Sequence, residues 1–232
     1  MVNEVGIERA EYEERRSAFE LCQWVNSKLR ELEDGGDFDR QYFERIGKNV
    51  KRFVEEAIPL SRLGLYLSTP RSDVHVTCFA DNRAYDGVIE ITGFGARSFR
   101  VEVTTTDTPR LSELRRQALS RDGHVVLTGP IRREGRTILP EGAMVDVADE
   151  EERCIGVALE RLRDKAASGR YGDDTVVLVY LTDCWLASLT ELRAELLRRT
   201  EEYLRRERPP VHTVYYCYSS NYCVDHVAVR RA

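Results

Sequence analysis

Long apolar runs are missing from this sequence of 232 residues, since none approaches the roughly 20 apolar residues that a membrane-spanning helix requires. The first residues, MVNEVGIERAEYEERR, are charged throughout, which is not the composition of a signal peptide. Internal repeats and low-complexity segments are also absent from the sequence. We therefore expect a folded cytoplasmic protein of bacterial type, with no membrane partner.

Lysine is scarce, because the 35 basic residues include only Lys28, Lys48, Lys51 and Lys165. Arginine suits bidentate contacts to phosphate, but an arginine-rich composition also follows from a GC-rich genome, and both interpretations stay open. The formal net charge is −5, so the composition as a whole gives no electrostatic argument for a nucleic-acid-binding protein.

The Cys-x-x-Cys spacing of structural zinc sites does not occur in this sequence. His212, Cys217, Cys223 and His226 lie near the C-terminus, but on a strand His212 and Cys217 point to opposite faces. A tetrahedral zinc site is therefore not expected there. A Cys217–Cys223 disulfide is not expected in the cytoplasm either.

The order of periodic segments predicts an α/β protein, in which a central mixed sheet is flanked by helices. The apolar spacing predicts two N-terminal helices, over 8–33 and 38–57, the second closed by Pro59. The later elements are predicted to be strands at Val74–Phe79, Asp86–Ile91, Phe99–Thr105, Val176–Leu181, Val211–Tyr218 and Tyr222–Val229, with helices after Asp107, over Asp149–Ser168 and after Ser188.

Two regions are expected: an N-terminal helical region at 1–70 packed on the core, and an α/β core at 71–232. The core would carry a β insertion at about 124–140 and a C-terminal hairpin. The continuous apolar run Val176–Leu181 is typical of a central strand covered on both faces.

Acidic side chains recur in a predicted hairpin at residues 81–107, where Gly93-Phe94-Gly95 supplies the turn. Phe99, Val101 and Val103 alternate with polar residues, which is typical of a half-buried strand. With a turn centred near Gly95, Asp86 lies opposite Thr104 and diagonal to Glu102. Diagonal neighbours on one face are roughly 7–8 Å apart, so Asp86 and Glu102 could hold one divalent cation between them.

This pattern resembles the PD-(D/E)XK nuclease superfamily, in which an Asp on one strand and an acid and a Lys two residues apart on the next bind Mg²⁺ and activate water. The matching residues are Asp86, Glu102 and Thr104, so Thr stands in place of the motif lysine. The resemblance also includes the order of elements over roughly residues 40 to 218. It implies a restriction-endonuclease-like core, with Mg²⁺ or Mn²⁺ as cofactor and DNA as substrate.

Because Thr104 replaces the lysine, we expect a Mg²⁺-dependent DNA phosphodiesterase whose activity is weak or lost. Two residues could substitute for the lysine: Lys165, at the edge of the apolar face of its helix, and Gln117, which matches an extra Gln of some family members. Glu56, with Glu55, corresponds to an additional metal-ligating Glu of some family members. A plain solvated helix face is the favoured interpretation of that acidic pair.

The alternative function is a non-catalytic module that binds nucleic acid or another protein within a bacterial defence or mobile-element system. Arg132, Arg133 and Arg136, projecting from a turn of the β insertion, would suit DNA phosphates. The arginines between 198 and 208 alternate with glutamates and predict a salt-bridged exposed face. Tyr215, Tyr216, Tyr218 and Tyr222 are interpreted as core residues. Glu90 shares the strand parity of Asp86 and would face either the same cleft or the solvent.

Overall fold

A seven-stranded mixed sheet forms the centre of the protein in a computed structural model, with helices on both faces and a separate two-stranded sheet. The structure describes residues 6–35, 38–44, 49–81, 83–107, 109–123, 131–135, 137–140, 146–168, 171–172, 174–182, 190–219 and 223–229. The predicted α/β class is confirmed.

The large sheet has the strand order β1-β2-β3-β4-β7-β8-β9. Its strands β4, β7 and β8 are parallel to one another, and the other neighbours are antiparallel. Their bounds are β1 Arg16–Ser17, β2 Ser72–Cys78, β3 Gly87–Gly93, β4 Arg97–Thr105, β7 Thr175–Leu181, β8 Thr213–Tyr218 and β9 Val224–Ala228. The small sheet pairs β5 Ile131–Glu134 with β6 Thr137–Pro140.

The helices are α1 Arg9–Tyr12, α2 Ala18–Asp34, α3 Phe38–Glu44, α4 Val50–Arg52, α5 Ile58–Leu67, α6 Pro109–Asp122, α7 Val147–Ala167 and α8 Thr190–Glu207. A π-helical turn, Phe53–Ala57, joins α4 to α5. No helix in the described ranges combines the length and the apolar character needed to cross a bilayer.

Strand β7 lies between β4 and β8, and all of its residues are buried. Val176, Leu178 and Tyr180 face a core built with α2 and α5, while Val177 and Val179 face a second core built with α7 and α8. The prediction of a central strand covered on both faces is confirmed. The physical reason is that alternate residues of the apolar run point to opposite faces of the sheet, and helices cover both faces.

The N-terminal region departs from the predicted single helix over 8–33. It forms α1, turns, contributes β1 to the edge of the sheet beside β2, and only then begins α2. The Ser17 hydroxyl accepts a hydrogen bond from the Glu20 N–H, and the Glu20 carboxylate accepts one from the Ser17 N–H. This capping box starts α2 at Ala18 and so prevents the continuous helix.

The second predicted helix, over 38–57, is also wrong, because Pro59 does not close it. The described chain is helical over 38–44 and again continuously from Val50 to Leu67, through the π turn and past Pro59. A proline ring collides with the carbonyl four residues earlier in a regular α-helix. The wider π turn, in which the Ile58 N–H donates to the Phe53 carbonyl, immediately precedes the proline and accommodates it.

The remaining elements follow the predicted order. The closing hairpin β8–β9 and the long helices α7 and α8 are present, and the β insertion contains β5 and β6. Residues 124–130 of the predicted β insertion, Ser188, Tyr222 and Arg136 lie outside the described residues. Tyr215, Tyr216 and Tyr218 are buried, which confirms their interpretation as core residues.

Two helical glycines differ in the space beside them and give a matched test of the packing. A Cβ at Gly64 in α5 would lie 2.9 Å from Val76 Cγ2 and 3.2 Å from Ala18 Cβ, whereas a Cβ at Gly156 in α7 meets nothing within 4 Å. We expect Gly64→Ala to destabilise by about 1–3 kcal/mol through overpacking. Gly156→Ala should stabilise by about 0.5–1 kcal/mol through the better helix propensity of Ala. Urea unfolding measures both, and a stabilised Gly64→Ala variant would contradict this packing.

Candidate active site

The hairpin of β3 and β4 brings Asp86 and Glu102 together, but in a register two residues away from the expected one. Gly87 pairs with Val101 and Ile91 pairs with Arg97, so the turn is centred on Phe94 rather than Gly95. Asp86 is therefore next to Glu102, not opposite Thr104. A shift of two residues keeps every side chain on its predicted face, which is why the expected proximity of the two acids survives the error.

Asp86 is held in place through both its backbone and its side chain. Its N–H donates to the Val101 carbonyl at 2.9 Å, and its carbonyl accepts from the Phe79 N–H at 2.9 Å. Its Oδ2 accepts a hydrogen bond of 2.7 Å from the Val103 N–H. Burial, followed by the nearby charge of Glu102, raises the pKa of Asp86 to about 6, against the lowering effect of the Val103 hydrogen bond. The carboxyl group is thus poised to lose its proton close to neutral pH.

Lys165 reaches the same place from helix α7. Its Nζ donates a hydrogen bond to Glu102 Oε1, and the two side chains form an ion pair. Ala158, Leu162 and Ala166 of α7 are buried against the sheet, which leaves Lys165 at the margin of that apolar face, above β4. Burial alone lowers the pKa of Lys165, but the hydrogen bond and charge of Glu102 outweigh it, and the pKa is raised. The lysine is therefore a cation at neutral pH.

Glu56 lies on the π turn and faces Asp86. Its Oε2 accepts a hydrogen bond of 3.1 Å from the Tyr12 hydroxyl. Burial and then the charge of Asp86 raise the pKa of Glu56 to about 8. The favoured interpretation of Glu55 and Glu56 as a solvated helix face is wrong, because both are partly buried and Glu55 is paired with Lys51 at 3.3 Å and Tyr42 at 3.3 Å. Both glutamates lie within the π turn.

The N-terminal segment 7–13 ties together the two parts of the chain that carry Glu56 and Asp86. On one side, the buried Tyr12 hydroxyl lies 3.3 Å from the Arg52 carbonyl, and the Asn49 side chain donates to the Ile7 carbonyl at 2.9 Å. On the other side, the Glu13 carboxylate accepts from the Ala80 N–H at 2.9 Å. The role of this segment was not predicted, because the expected long helix over 8–33 left no turn that could bring it to these residues.

Other predicted site residues have contacts elsewhere. Thr104 lies two residues after Glu102 on β4 and is half-buried. Gln117 on α6 donates to Glu113 at 2.6 Å and accepts from Arg133, and Glu90 pairs with Arg15 at 2.7 Å. Arg132 is exposed and pairs with Glu134 at 3.2 Å. The structure thus gives Lys165, rather than Gln117, the contact with the acidic pair.

The described cysteines Cys22, Cys78, Cys154, Cys217 and Cys223 are free thiols. His226 accepts or donates a 2.8 Å hydrogen bond at Nδ1 with the Tyr66 hydroxyl and stacks on Tyr215. Within the described ranges, no group of three or more His, Cys, Asp or Glu side chains is arranged to hold a metal ion. A cation at Asp86 and Glu102 would thus depend on two carboxylates together with non-protein ligands.

Comparisons with models of protein families, with curated proteins and with solved structures find no match for this chain.

Glu56 gives a pH-dependent test of the buried acidic group. Because its pKa is raised in the folded state, the folded protein binds more protons than the unfolded chain, and stability falls as pH rises from about 5 through 8. We expect Glu56→Gln, which keeps an oxygen acceptor for Tyr12, to be more stable than the parent at pH 8.5 by about 1–3 kcal/mol and nearly equal at pH 5. Urea unfolding without metal at both pH values measures the difference.

The matched control is Glu201→Gln on α8, a residue whose side chain is 45% exposed and pairs with Arg205 at 2.5 Å. It should change stability by less than about 0.5 kcal/mol at either pH. The same pH slope in the parent and in Glu56→Gln would show that Glu56 is ionised and solvated.

Proposed function

We propose that this protein is a divergent PD-(D/E)XK-like phosphodiesterase that cleaves DNA with Mg²⁺ or Mn²⁺. Asp86 and Glu102 would bind the metal, and Lys165 would replace the motif lysine that Thr104 does not supply. The observation that carries the proposal is the contact of Lys165 Nζ with the Glu102 carboxylate. It places an acid, an acid and an ammonium in one partly buried space, although the lysine comes from a helix instead of the strand.

The donor set fits the proposed metal. Mg²⁺ prefers oxygen ligands, keeps several waters and is commonly bound through one or two carboxylates together with substrate phosphate. Asp86 and Glu102 supply two carboxylates, and Glu56 lies near enough to Asp86 to interact with it electrostatically. When bound, such an ion polarises a phosphate oxygen and lowers the pKa of a water.

The charges of Lys165 and Glu56 determine the roles that these two residues would have in the site. Lys165 is protonated at neutral pH, so it is a source of positive charge for a phosphate rather than a proton acceptor. Its ammonium can also orient a water by hydrogen bonding. Glu56 keeps its proton near neutral pH, which limits the like-charge repulsion on Asp86 and Glu102.

The DNA substrate is inferred from the resemblance and from exposed arginines on the β5–β6 hairpin. Arg132 and Arg133 are exposed on β5, where they could contact backbone phosphates. The arginines of α8 support this role less, because Arg198 and Arg199 are committed to ion pairs with Glu195, Glu202 and Glu152.

Plasmid nicking in Mg²⁺ tests the catalytic proposal and the role of the lysine. We expect slow nicking by the parent protein, none by Asp86→Asn or Glu102→Gln, and a loss of about 10²–10³-fold for Lys165→Met, which removes the cation. Arg205→Met is the control, because it removes a cation from an exposed position on α8, where Arg205 pairs with Glu201 at 2.5 Å. It should nick like the parent.

A double variant separates a relocated lysine from a merely structural one. Thr104→Lys restores an ammonium two residues after Glu102 on the same face of β4. Added to Lys165→Met, it should recover part of the lost nicking, and adding Asp86→Asn should abolish it again. Nicking that survives the loss of both Asp86 and Glu102 would refute the site. No nicking by any variant would favour the non-catalytic alternative.

Metal affinity should rise with pH, because a cation competes with the proton on Asp86. This carboxyl group has a raised pKa, of about 6, and must be ionised to bind a cation well. We therefore expect a small increase in Tm from millimolar Mg²⁺ at pH 6 and a larger one at pH 8. Asp86→Asn should remove the increase at both pH values, and equal increases at pH 6 and pH 8 in the parent would contradict the proposal.

A further inference from the structure

A cluster of two aromatic rings and two arginines lies directly beside Asp86. We call it the aromatic patch, and its members are Phe79, Arg83, Tyr85 and Arg100. The Phe79 and Tyr85 rings are 5.6 Å apart and cross at 82°. The Arg83 guanidinium lies 3.7 Å from the centre of the Phe79 ring, and the Arg100 guanidinium lies 5.1 Å from the centre of the Tyr85 ring. The patch thus alternates aromatic and cationic surfaces.

The patch is joined to the candidate active site through short stretches of backbone. Tyr85 immediately precedes Asp86, and the Phe79 N–H is bonded to the Asp86 carbonyl. Arg100 lies two residues before Glu102 on β4, so it is on the same face of the sheet, about 7 Å along the strand. A chain molecule whose phosphate lay at Asp86 and Glu102 would therefore extend onto this patch.

The patch is partly exposed to solvent, which a cluster that only stabilised the fold would not need. The Arg83 and Arg100 side chains are 34% and 47% exposed, and the two rings are half-buried. Asp81 accepts from Arg83 through both carboxylate oxygens, at 2.6 and 2.5 Å, whereas Asp174 lies 3.4 Å from Arg100. Exposed pairs like Arg100–Asp174 contribute little to stability, so a phosphate can replace Asp174 at little cost.

The neighbouring sheet surface is also incompletely covered. On the face of β2 and β3 that points toward the patch, His75, Thr77 and Val88 are only partly buried, whereas Val76 and Ile89 on the opposite face are fully buried. Within the described residues, the helices α2 and α5 pack on that opposite face. These partly buried side chains leave this face partly accessible to a ligand beside the patch.

We infer that the aromatic patch binds an unpaired nucleotide next to the scissile phosphate, so that the substrate is single-stranded DNA. This inference rests on the proposed function. Aromatic rings and guanidinium planes stack on base faces, which an intact duplex keeps inside its own stack. Arg83 and Arg100 would meet the adjacent phosphates and bases, and Tyr85 would supply the stacking ring nearest to Asp86. A duplex, in contrast, would offer only phosphates and groove edges to this surface.

Binding without metal tests the inference separately from catalysis. A fluorescein-labelled 20-nucleotide oligo-dT and a labelled 20-base-pair duplex are titrated with the protein in EDTA, and binding is followed by fluorescence anisotropy. We expect the single strand to bind at least about tenfold more tightly than the duplex. Tyr85→Ala should weaken single-strand binding about 5- to 100-fold through the loss of one stacked base, whereas Tyr85→Phe, which keeps the ring, should bind like the parent.

A second pair of variants tests the contribution of arginine charge to single-strand binding. Arg100→Ala should weaken binding and reduce the slope of log affinity against log salt by about 0.7, as expected for one phosphate contact on a single strand. Arg198→Ala removes the same charge from an exposed, ion-paired position on α8 and should leave both quantities unchanged. Thermal unfolding of every variant checks that the fold is intact.

Three results would overturn the inference: no oligo-dT binding by the parent at tens of micromolar protein, equal binding by Tyr85→Ala and Tyr85→Phe, or duplex binding as tight as single-strand binding. The catalytic proposal fails separately. Tyr85-dependent binding without nicking in Mg²⁺ would support the patch and contradict the phosphodiesterase.

Discussion

The burial of neighbouring acids is the constraint on which the candidate site depends. Glu56, Asp86 and Glu102 act on one another electrostatically in a partly buried region, where charges are expensive and weakly screened. The fold meets this cost in different ways: Lys165 pairs with Glu102, the Val103 N–H donates to Asp86, and Glu56 retains its proton beside the Tyr12 hydroxyl. Burying neighbouring acids lowers the stability of the fold. Groups with strongly shifted pKa values are common at functional sites.

Several distant segments are needed to maintain this arrangement. The sheet places Asp86 against Glu102 by strand pairing, and α7 places Lys165 above β4 by packing its apolar face on the second core. The segment 7–13 adds hydrogen bonds that connect the π turn with the residues before β3. These contacts join residues 7–13 to Arg52, near Glu56, and to Ala80, near Asp86. The relative positions of the acids therefore depend on the N-terminal region as well as on the sheet.

The sequence could predict those parts of the structure that depend on local pattern. The unbroken apolar run of β7, the apolar stripe of α7 and the glycine turn at Gly93 and Gly95, both with positive φ, are local signals, and the structure has each of them. The proximity of Asp86 and Glu102 could be predicted for the same reason. Strand alternation determines on which face of the sheet each side chain lies, even when the predicted register is wrong by two residues. The register itself depends on where the turn closes, which local pattern does not determine.

The parts that escaped prediction depend on tertiary contacts. Pro59 predicts a helix end, whereas in the structure the helix continues through a π turn into α5, whose apolar side chains are buried in the first core. In the sequence, Tyr12 belongs to a predicted continuous charged helix. The capping box at Ser17 begins a new helix and so interrupts the predicted one. Lys165 was identifiable as a lysine at the edge of an apolar stripe, but its distance to Glu102 follows from how α7 docks.

The π turn has a consequence for how this chain can vary in length. An α-helix advances about 100° per residue, so removing one residue from Phe53–Ala57 would rotate α4 by about that angle relative to α5, which is fixed by its packing on the sheet. Helix content would hardly change, yet Asn49 and Arg52 would turn away from Ile7, Tyr12 and Asp81. The rotation of α4 about its own axis therefore decides whether these contacts with the N-terminal segment form, and at this place we expect the chain to tolerate substitutions better than deletions.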